Sequence, residues 1–301
     1  MELPPRTRWR YLRICVRAPE NGFLARHHAG PAFALRTRVL AVAANVIVRV
    51  LLAPGCAACG VLLLRPLASP VCDRCWRDVP TLVPPRCDRC GDSLRQWRSS
   101  ASLCARCRRV PTRVSCARSA GPYDGSLRSI LHAFKYQGRR GLARPLAALL
   151  REEGADLLAG ADAVIPVPLH PFRALERGFN QSDDLARELG PPVWRVLRRV
   201  RHGPPQATLP AARRNANVRA AFALTWRSRL ASRLHERLDL RNRVVVLIDD
   251  VMTTGATMEA CARPLLEAGV RSVRALTVAR AEAGRPARPP PRHHPWRASR
   301  R

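Results

Sequence analysis

The sequence predicts an α/β protein, a parallel sheet flanked by helices, preceded by a small zinc-knuckle domain with four cysteine pairs. Three observations carry that prediction. Val244, Val245, Val246, Leu247 and Ile248 form an unbroken β-branched and aliphatic run of strand length, which reads as a central strand buried on both faces of a parallel sheet. The run meets Asp249 and Asp250, then passes through Thr253, Thr254, Gly255, Ala256 and Thr257 into a helical pattern continuing through Met258, Cys261, Leu265 and Leu266. Upstream, Cys56-Cys59, Cys72-Cys75, Cys87-Cys90 and Cys104-Cys107 are four Cys-x-x-Cys pairs, separated by 12, 11 and 13 residues.

Composition bounds the rest. A chain of 301 residues has room for roughly two domains. The net charge of +31 invites a nucleic-acid reading, but of the 53 basic residues only Lys135 is a lysine. So lopsided a ratio reads as coding bias and is discounted as evidence of function, although such a surface attracts polyanions whatever its origin. No run of 18 or more apolar residues exists, and the closest stretch, Val39 to Leu52, is broken by Asn45 and Arg49, so no membrane span is expected. No secretory signal is legible, and the eleven cysteines therefore point to metal in a reducing, cytoplasmic setting before disulfides.

Residues 1–38 carry Pro4, Pro5, several arginines and His27-His28 without sustained periodicity, and are expected to be disordered or to precede the true start. Residues 39–53 suggest a short helix ending before Pro54. The cysteine module follows at 54–111. A Cys-x-x-Cys pair can place two thiolates on one metal from a single knuckle, so four pairs supply two tetrahedral all-thiolate sites. Two structural Zn2+ ions are expected, paired sequentially or in a crossed order. Gly60 and Gly91 follow knuckles where tight turns are needed, and the stretch is too short and too rich in Pro and Arg to bury much core. Thioredoxin-like chemistry fits less well, because the pairs lie outside any βαβ pattern. Cys15, Cys116 and Cys261 stand alone and read as small buried or incidental residues.

From residue 114 to 280 the character is α/β. Val114 to Ala120 reads as a strand, and Asp124 or Ser126 as the cap of a helix carrying Leu127, Ile130, Leu131 and Phe134. That helix delivers Lys135 and Tyr136 and stops at Gly138. Leu142 to Leu158 suggests a second helix, and Ala163 to Val167 a second buried strand. After it, His170, Arg173, Arg177, Gly178, Phe179, Asn180 and Gln181 lie in a basic loop leading into a helix from Ser182 to Leu189. Such a loop at a strand's carboxyl end suits a pyrophosphate. Val193 to Val200 is a third strand candidate. The polar, Pro-rich stretch 201–222, with Gln206, Arg213, Arg214 and Asn217, reads as a lid or a plain connection. Trp226 to Leu240 is an Arg-rich helix or linker, Ser272 to Ala279 a last strand, and 281–301 a disordered basic tail.

Residues 249–257 suit a phosphate and a ribose. Gly255 lets backbone approach a phosphate, Thr253, Thr254 and Thr257 add hydroxyls, and the helix end favours negative charge. The adjacent carboxylates can accept hydrogen bonds from vicinal hydroxyls. No Gly-Lys-Ser/Thr and no GxGxxG is present. A strand–turn–helix in which Thr253 caps the helix and the aspartates are solvated is the competing reading.

The order of apolar run, Asp-Asp and Thr-Thr-Gly-Ala-Thr resembles the phosphoribosyl pyrophosphate (PRPP) loop of type I phosphoribosyltransferases. Together with the cysteine pairs, FKYQG at 134–138, VIPVPLHPFRALERGFNQ at 164–181, and Gln206 with Arg213, Arg214 and Asn217, the chain resembles the ComF family of phosphoribosyltransferase-like proteins over about residues 54–280. The resemblance implies a type I phosphoribosyltransferase fold behind the zinc domain. It implies that Asp249 and Asp250 are the catalytic carboxylates that hold the ribose hydroxyls. Val251, Met252, Thr253, Thr254, Gly255, Ala256 and Thr257 would complete the PRPP loop, with Mg2+ bridging the pyrophosphate. Lys135, Arg173, Arg177, Gln206, Arg213 and Arg214 are then the pyrophosphate and lid candidates. Two functions follow: transfer of phosphoribose to an unknown nitrogen nucleophile, or a non-catalytic PRPP-binding role in DNA uptake, in contact with single-stranded DNA or a helicase.

Overall fold

The computed structural model describes residues 42–48, 50–82, 84–94, 102–200, 221–226 and 239–281. Both chain ends, the expected lid with Gln206, Arg213 and Arg214, and most of the stretch 226–240 lie outside the described residues. The chain divides into two compact units, Met1–Trp76 with Arg292–Arg301, and Arg77–Pro291. In the first, residues 42–48 and 50–52 are helical. Asn45, which interrupts the apolar run there, accepts a hydrogen bond from the Leu67 N–H at 3.1 Å.

In the second unit the strands are β1 (Cys116–Pro122), β2 (Ala163–Pro166), β3 (Leu197–Arg199), β4 (Phe222–Leu224), β5 (Val244–Met252) and β6 (Ser272–Arg280). Four of them form a parallel sheet in the order β1-β6-β5-β2, while β3 and β4 make a separate antiparallel pair. The helices are α1 (Gly125–Tyr136), α2 (Ala143–Glu153), α3 (Pro171–Arg177), α4 (Gln181–Arg187) and α5 (Ala256–Glu267).

The apolar run works as its composition requires. Val244 to Ile248 are all buried at the centre of the sheet, with Val245 opposite Val273 and Leu247 opposite Ala275 on β6. These four pack with Met258, Cys261 and Leu265 of α5 and with Leu197, Phe222 and Leu224 of the β3–β4 pair in one core. α1 buries Leu127, Ile130, Leu131 and Phe134 at helical spacing, and the Asp124 side chain caps it by accepting from the Gly125 N–H. Inside the sheet, the hydroxyls of Ser119 and Thr277 satisfy each other at 2.6 Å.

Four local departures matter. The helix expected over Leu142–Leu158 divides at Gly154, where an added Cβ would lie 2.5 Å from a Leu276 methyl and 3.0 Å from the Leu150 carbonyl oxygen. The third strand shortens to Leu197–Arg199, because its ladder is with β4; Val193 makes only an isolated parallel bridge to Val164. The loop after β2 contains α3, closed by Gly178 at φ 70°. α4 starts at Gln181 rather than Ser182, with the Asn180 side chain accepting from the Ser182 N–H at 3.1 Å and donating to the Val167 carbonyl at 3.1 Å.

Candidate functional site

β5 does not stop before its carboxylates. Its ladder to β6 runs on through Asp249↔Thr277 to Met252↔Arg280, so the sheet itself fixes the backbone of both aspartates. Their surroundings differ. Asp250 is buried, and its Oδ1 lies 3.0 Å from Lys135 Nζ, with the two side chains only 13% and 12% exposed. Lys135, from the last turn of α1, also stands 5.9 Å from the Tyr123 ring centroid. The one lysine in the chain thus faces the acid pair, within the reach of a compact ammonium on a flexible stem.

Among the described residues, Asp249 has no cation at contact distance. Its Oδ1 accepts from Ser182 Oγ and from the Asp250 N–H, each at 2.9 Å. Burial, then the charge of Asp250, push its carboxyl up to about 7, against the opposing pull of those two donors and of Lys135. Two adjacent carboxyls are therefore held in different ways, one ion-paired and one close to protonation at neutral pH. A divalent cation or a pair of sugar hydroxyls suits such a site.

Beyond Met252 the chain turns through exposed Thr253 and Thr254 to Gly255 at φ 77° and enters α5. That φ is the reason for glycine here, since an added Cβ would meet only Met252 Sδ at 3.8 Å. Thr253 does not cap α5; no side chain does, although Thr254 Oγ1 accepts from the Ala256 N–H at 3.4 Å. The first N–H groups of a twelve-residue helix therefore open beside hydroxyls, a few residues from the acid pair.

The basic loop contributes unevenly. Arg177 lies 4.7 Å from the Tyr136 ring and donates to Gln181 Oε1 at 3.1 Å, while Arg173 is exposed on α3. Arg199, at the end of β3, was not singled out by the sequence. Its guanidinium sits 5.5 Å from the Phe222 ring, and burial, then Arg173, hold it below the usual guanidinium range. No local signal separates it from the many other arginines. Ser182, read from the sequence only as a helix start, is the second residue of α4 behind the Asn180 cap and the partner of Asp249.

The cysteines form two quartets, Cys56, Cys59, Cys72 and Cys75, and Cys87, Cys90, Cys104 and Cys107, with the ligand atoms of each within 4.8 Å of one another. Pairing is therefore sequential. Each knuckle closes in the same way, with Gly60 N–H to Cys56 O and Gly91 N–H to Cys87 O, both at 2.8 Å. Backbone N–H groups also point at sulfur, from Cys72 to Cys56 and from Cys104 to Cys87, each at 3.3 Å. Four soft donors with amide donors behind them fit structural Zn2+.

The phosphoribosyl transferase domain family matches residues 175–300, a range that takes in α4, the acid pair and α5. The double zinc ribbon domain family matches residues 47–108, which hold both quartets. The class is a phosphoribosyltransferase-fold protein with a double zinc ribbon. Competence protein F of Haemophilus influenzae is 30% identical over 221 residues, which are 70% of this chain and 90% of that protein. DNA utilization protein YhgH of Salmonella typhi is 32% identical over 213 residues, 67% of this chain and 87% of that protein. Competence protein ComFC of Bacillus subtilis is 25% identical over 228 residues, 73% and 88% respectively. The chain belongs to the ComF family.

Proposed function

We propose that this chain binds PRPP with Mg2+ and transfers the phosphoribosyl group to a nitrogen nucleophile with release of pyrophosphate. One observation supports the reading above the rest: Asp249 and Asp250 sit at the carboxyl end of the central strand, a short turn before a left-handed glycine and an uncapped helix start. In this reading the ribose hydroxyls donate to the two carboxylates. The 5′-phosphate takes the N–H groups of Gly255, Ala256 and Thr257 and the hydroxyls of Thr253, Thr254 and Thr257. A carboxyl that burial holds near 7 is one that a divalent cation would ionise, and carboxylate oxygen is the donor that Mg2+ takes. Bound there with the pyrophosphate, Mg2+ supplies charge neutralisation. The chain's own residues hold the ribose, exclude alternative poses and face the positive charge that develops as the bond to pyrophosphate oxygen lengthens and the bond to nitrogen forms. Among the described residues, Lys135, Arg173 and Arg177 are the remaining cations offered to the pyrophosphate.

Binding without turnover is the second reading, and one observation favours it. Asp250 is already engaged by Lys135 at 3.0 Å, so a ligand must share or displace that ammonium. The relatives' names, competence and DNA utilization, fit an accessory role of this kind in DNA uptake.

Calorimetric titration of the zinc-loaded chain with PRPP and Mg2+ tests both. Saturable, Mg2+-dependent binding that is lost in Asp249→Asn with Asp250→Asn supports the cradle. Pyrophosphate release on addition of nitrogen nucleophiles then separates transfer from sensing. No binding by the wild type overturns both readings.

A further inference from the structure

The end of β6 lies between the second cysteine quartet and the acid pair. Arg280, its last residue, is 5% exposed. Its side chain reaches the knuckle, with Nε 3.0 Å from Asp92 Oδ1, one terminal nitrogen donating to the Cys90 carbonyl at 2.9 Å and the other 3.8 Å from Cys90 Sγ. Its backbone reaches the cradle on two sides. The Arg280 carbonyl accepts from the Tyr123 N–H at 2.6 Å, and the next N–H, of Ala281, donates to the Met252 carbonyl at 2.9 Å. Tyr123 stands under Lys135, which pairs with Asp250. Met252 is the residue from which the Thr253–Gly255 turn departs.

We propose that Arg280 is a positioning residue that couples metal in the second quartet to the geometry of the cradle, through Tyr123 and Lys135 on one side and Met252 on the other. The inference rests on the PRPP reading of that cradle. The electrostatics support the coupling. Four thiolates around one divalent cation leave a net charge of about −2, and Arg280 is the buried cation that meets one of those sulfurs. The knuckle cannot slide instead, because Ala117 N–H donates to the Arg89 carbonyl at 2.7 Å and a Cβ on Gly91 would lie 2.7 Å from the Ala117 oxygen. When the metal leaves, Arg280 keeps Asp92 but loses the field of the metal–thiolate cluster beside its other terminal nitrogen, and the buried guanidinium must readjust. The end of β6 moves with it. Coupling of this kind is reciprocal, so a ligand in the cradle must hold the metal more tightly.

The test uses the full zinc-loaded chain, as wild type, Arg280→Met and the milder Asp92→Asn. Metal content is measured first, and Asp92→Asn is scored if Arg280→Met does not keep both ions. The expected result is PRPP–Mg2+ affinity lowered by roughly fivefold or more in the variant, the lower end of typical coupling. PRPP is also expected to slow zinc transfer to a chromogenic chelator in the wild type and not in the variant. A metal-replete variant that binds PRPP within about twofold of wild type, or zinc release that ignores PRPP in the wild type, overturns the coupling. If the wild type does not bind PRPP, the proposed function falls and amide hydrogen exchange decides the inference. Faster exchange over residues 252–257 in the variant, with β2 unchanged, supports it; equal exchange overturns it.

Discussion

Replacing Lys135 by Met removes the only cation that the described residues place at contact distance from the acid pair. At 3.0 Å the attraction to Asp250 is about 5 kcal/mol at an effective dielectric constant near 20. Desolvation of both groups offsets much of it, so the pair itself contributes modestly. Its rupture does not, because Asp250 stays behind as a buried charge next to Asp249. Removing one partner of such a pair costs about 3 kcal/mol or more, which in a unit of this size lowers Tm by about 6–12 °C. Urea unfolding of the zinc-loaded chain reads the loss as a lower midpoint at unchanged slope. Lys135→Met with Asp250→Asn removes both charges and recovers most of it, with a coupling energy of about 2 kcal/mol in the double-mutant cycle. Lys135→Arg recovers less, since a planar fork does not replace a compact ammonium in a side-chain site only 13% exposed. A coupling energy below about 0.5 kcal/mol would refute the argument that Lys135 holds Asp250.

Three further outcomes are expected. Asp249, raised from 3.8 to about 7 first by burial and then by Asp250, binds a proton in the folded chain that the unfolded chain has already released, so its contribution to stability falls as pH rises through about 4 to 7. The full loss is on the order of 4 kcal/mol; Asp249→Asn flattens it in urea titrations at pH 5 and pH 8. Gly255→Ala, at φ 77° with no clash nearer than 3.8 Å, costs about 1–2 kcal/mol of backbone strain, measured by thermal melting. Cys59→Ser and Cys90→Ser each lower the zinc content by one equivalent, read by metal analysis, because the two quartets are separate sites.

What was legible in the sequence is what chain-local chemistry encodes. A run of five aliphatic residues needs burial on both faces, Gly255 needs a left-handed turn, and Cys-x-x-Cys spacing fits one metal from one knuckle. Each follows from residues within a few positions of one another. The partners of the acid pair do not. Lys135 and Ser182 meet Asp250 and Asp249 across 115 and 67 residues, and only the sheet order β1-β6-β5-β2 brings α1 and α4 to the end of β5. The lone lysine drew attention by composition, but its role as partner to Asp250 needed the fold. Arg199, Tyr123 and Arg280 carry no local mark at all, because in so Arg-rich a chain a buried guanidinium looks like a solvated one.

The fate of the outer edge of β1 explains why the second quartet belongs to the same compact unit as the sheet. β1 pairs with β6 on one side only, and an open edge strand offers unpaired N–H and C=O groups to any other strand. Here the knuckle covers part of that edge. Ala117 N–H donates to Arg89 O, and Arg118 donates to Asp88 O at 2.9 Å. Arg86 pairs with Glu153 of α2 below. A segment of this length cannot hold that shape by its own core, which among the described residues contains little more than Val79, Leu82 and the cysteines. Metal supplies the rigidity that apolar burial cannot. A metal-free second quartet is therefore expected to expose the edge of β1 and to make the chain prone to self-association, so light scattering on chelation should rise. Absence of any rise on complete removal of zinc would show that the knuckle keeps its fold, and its cover, without the ion.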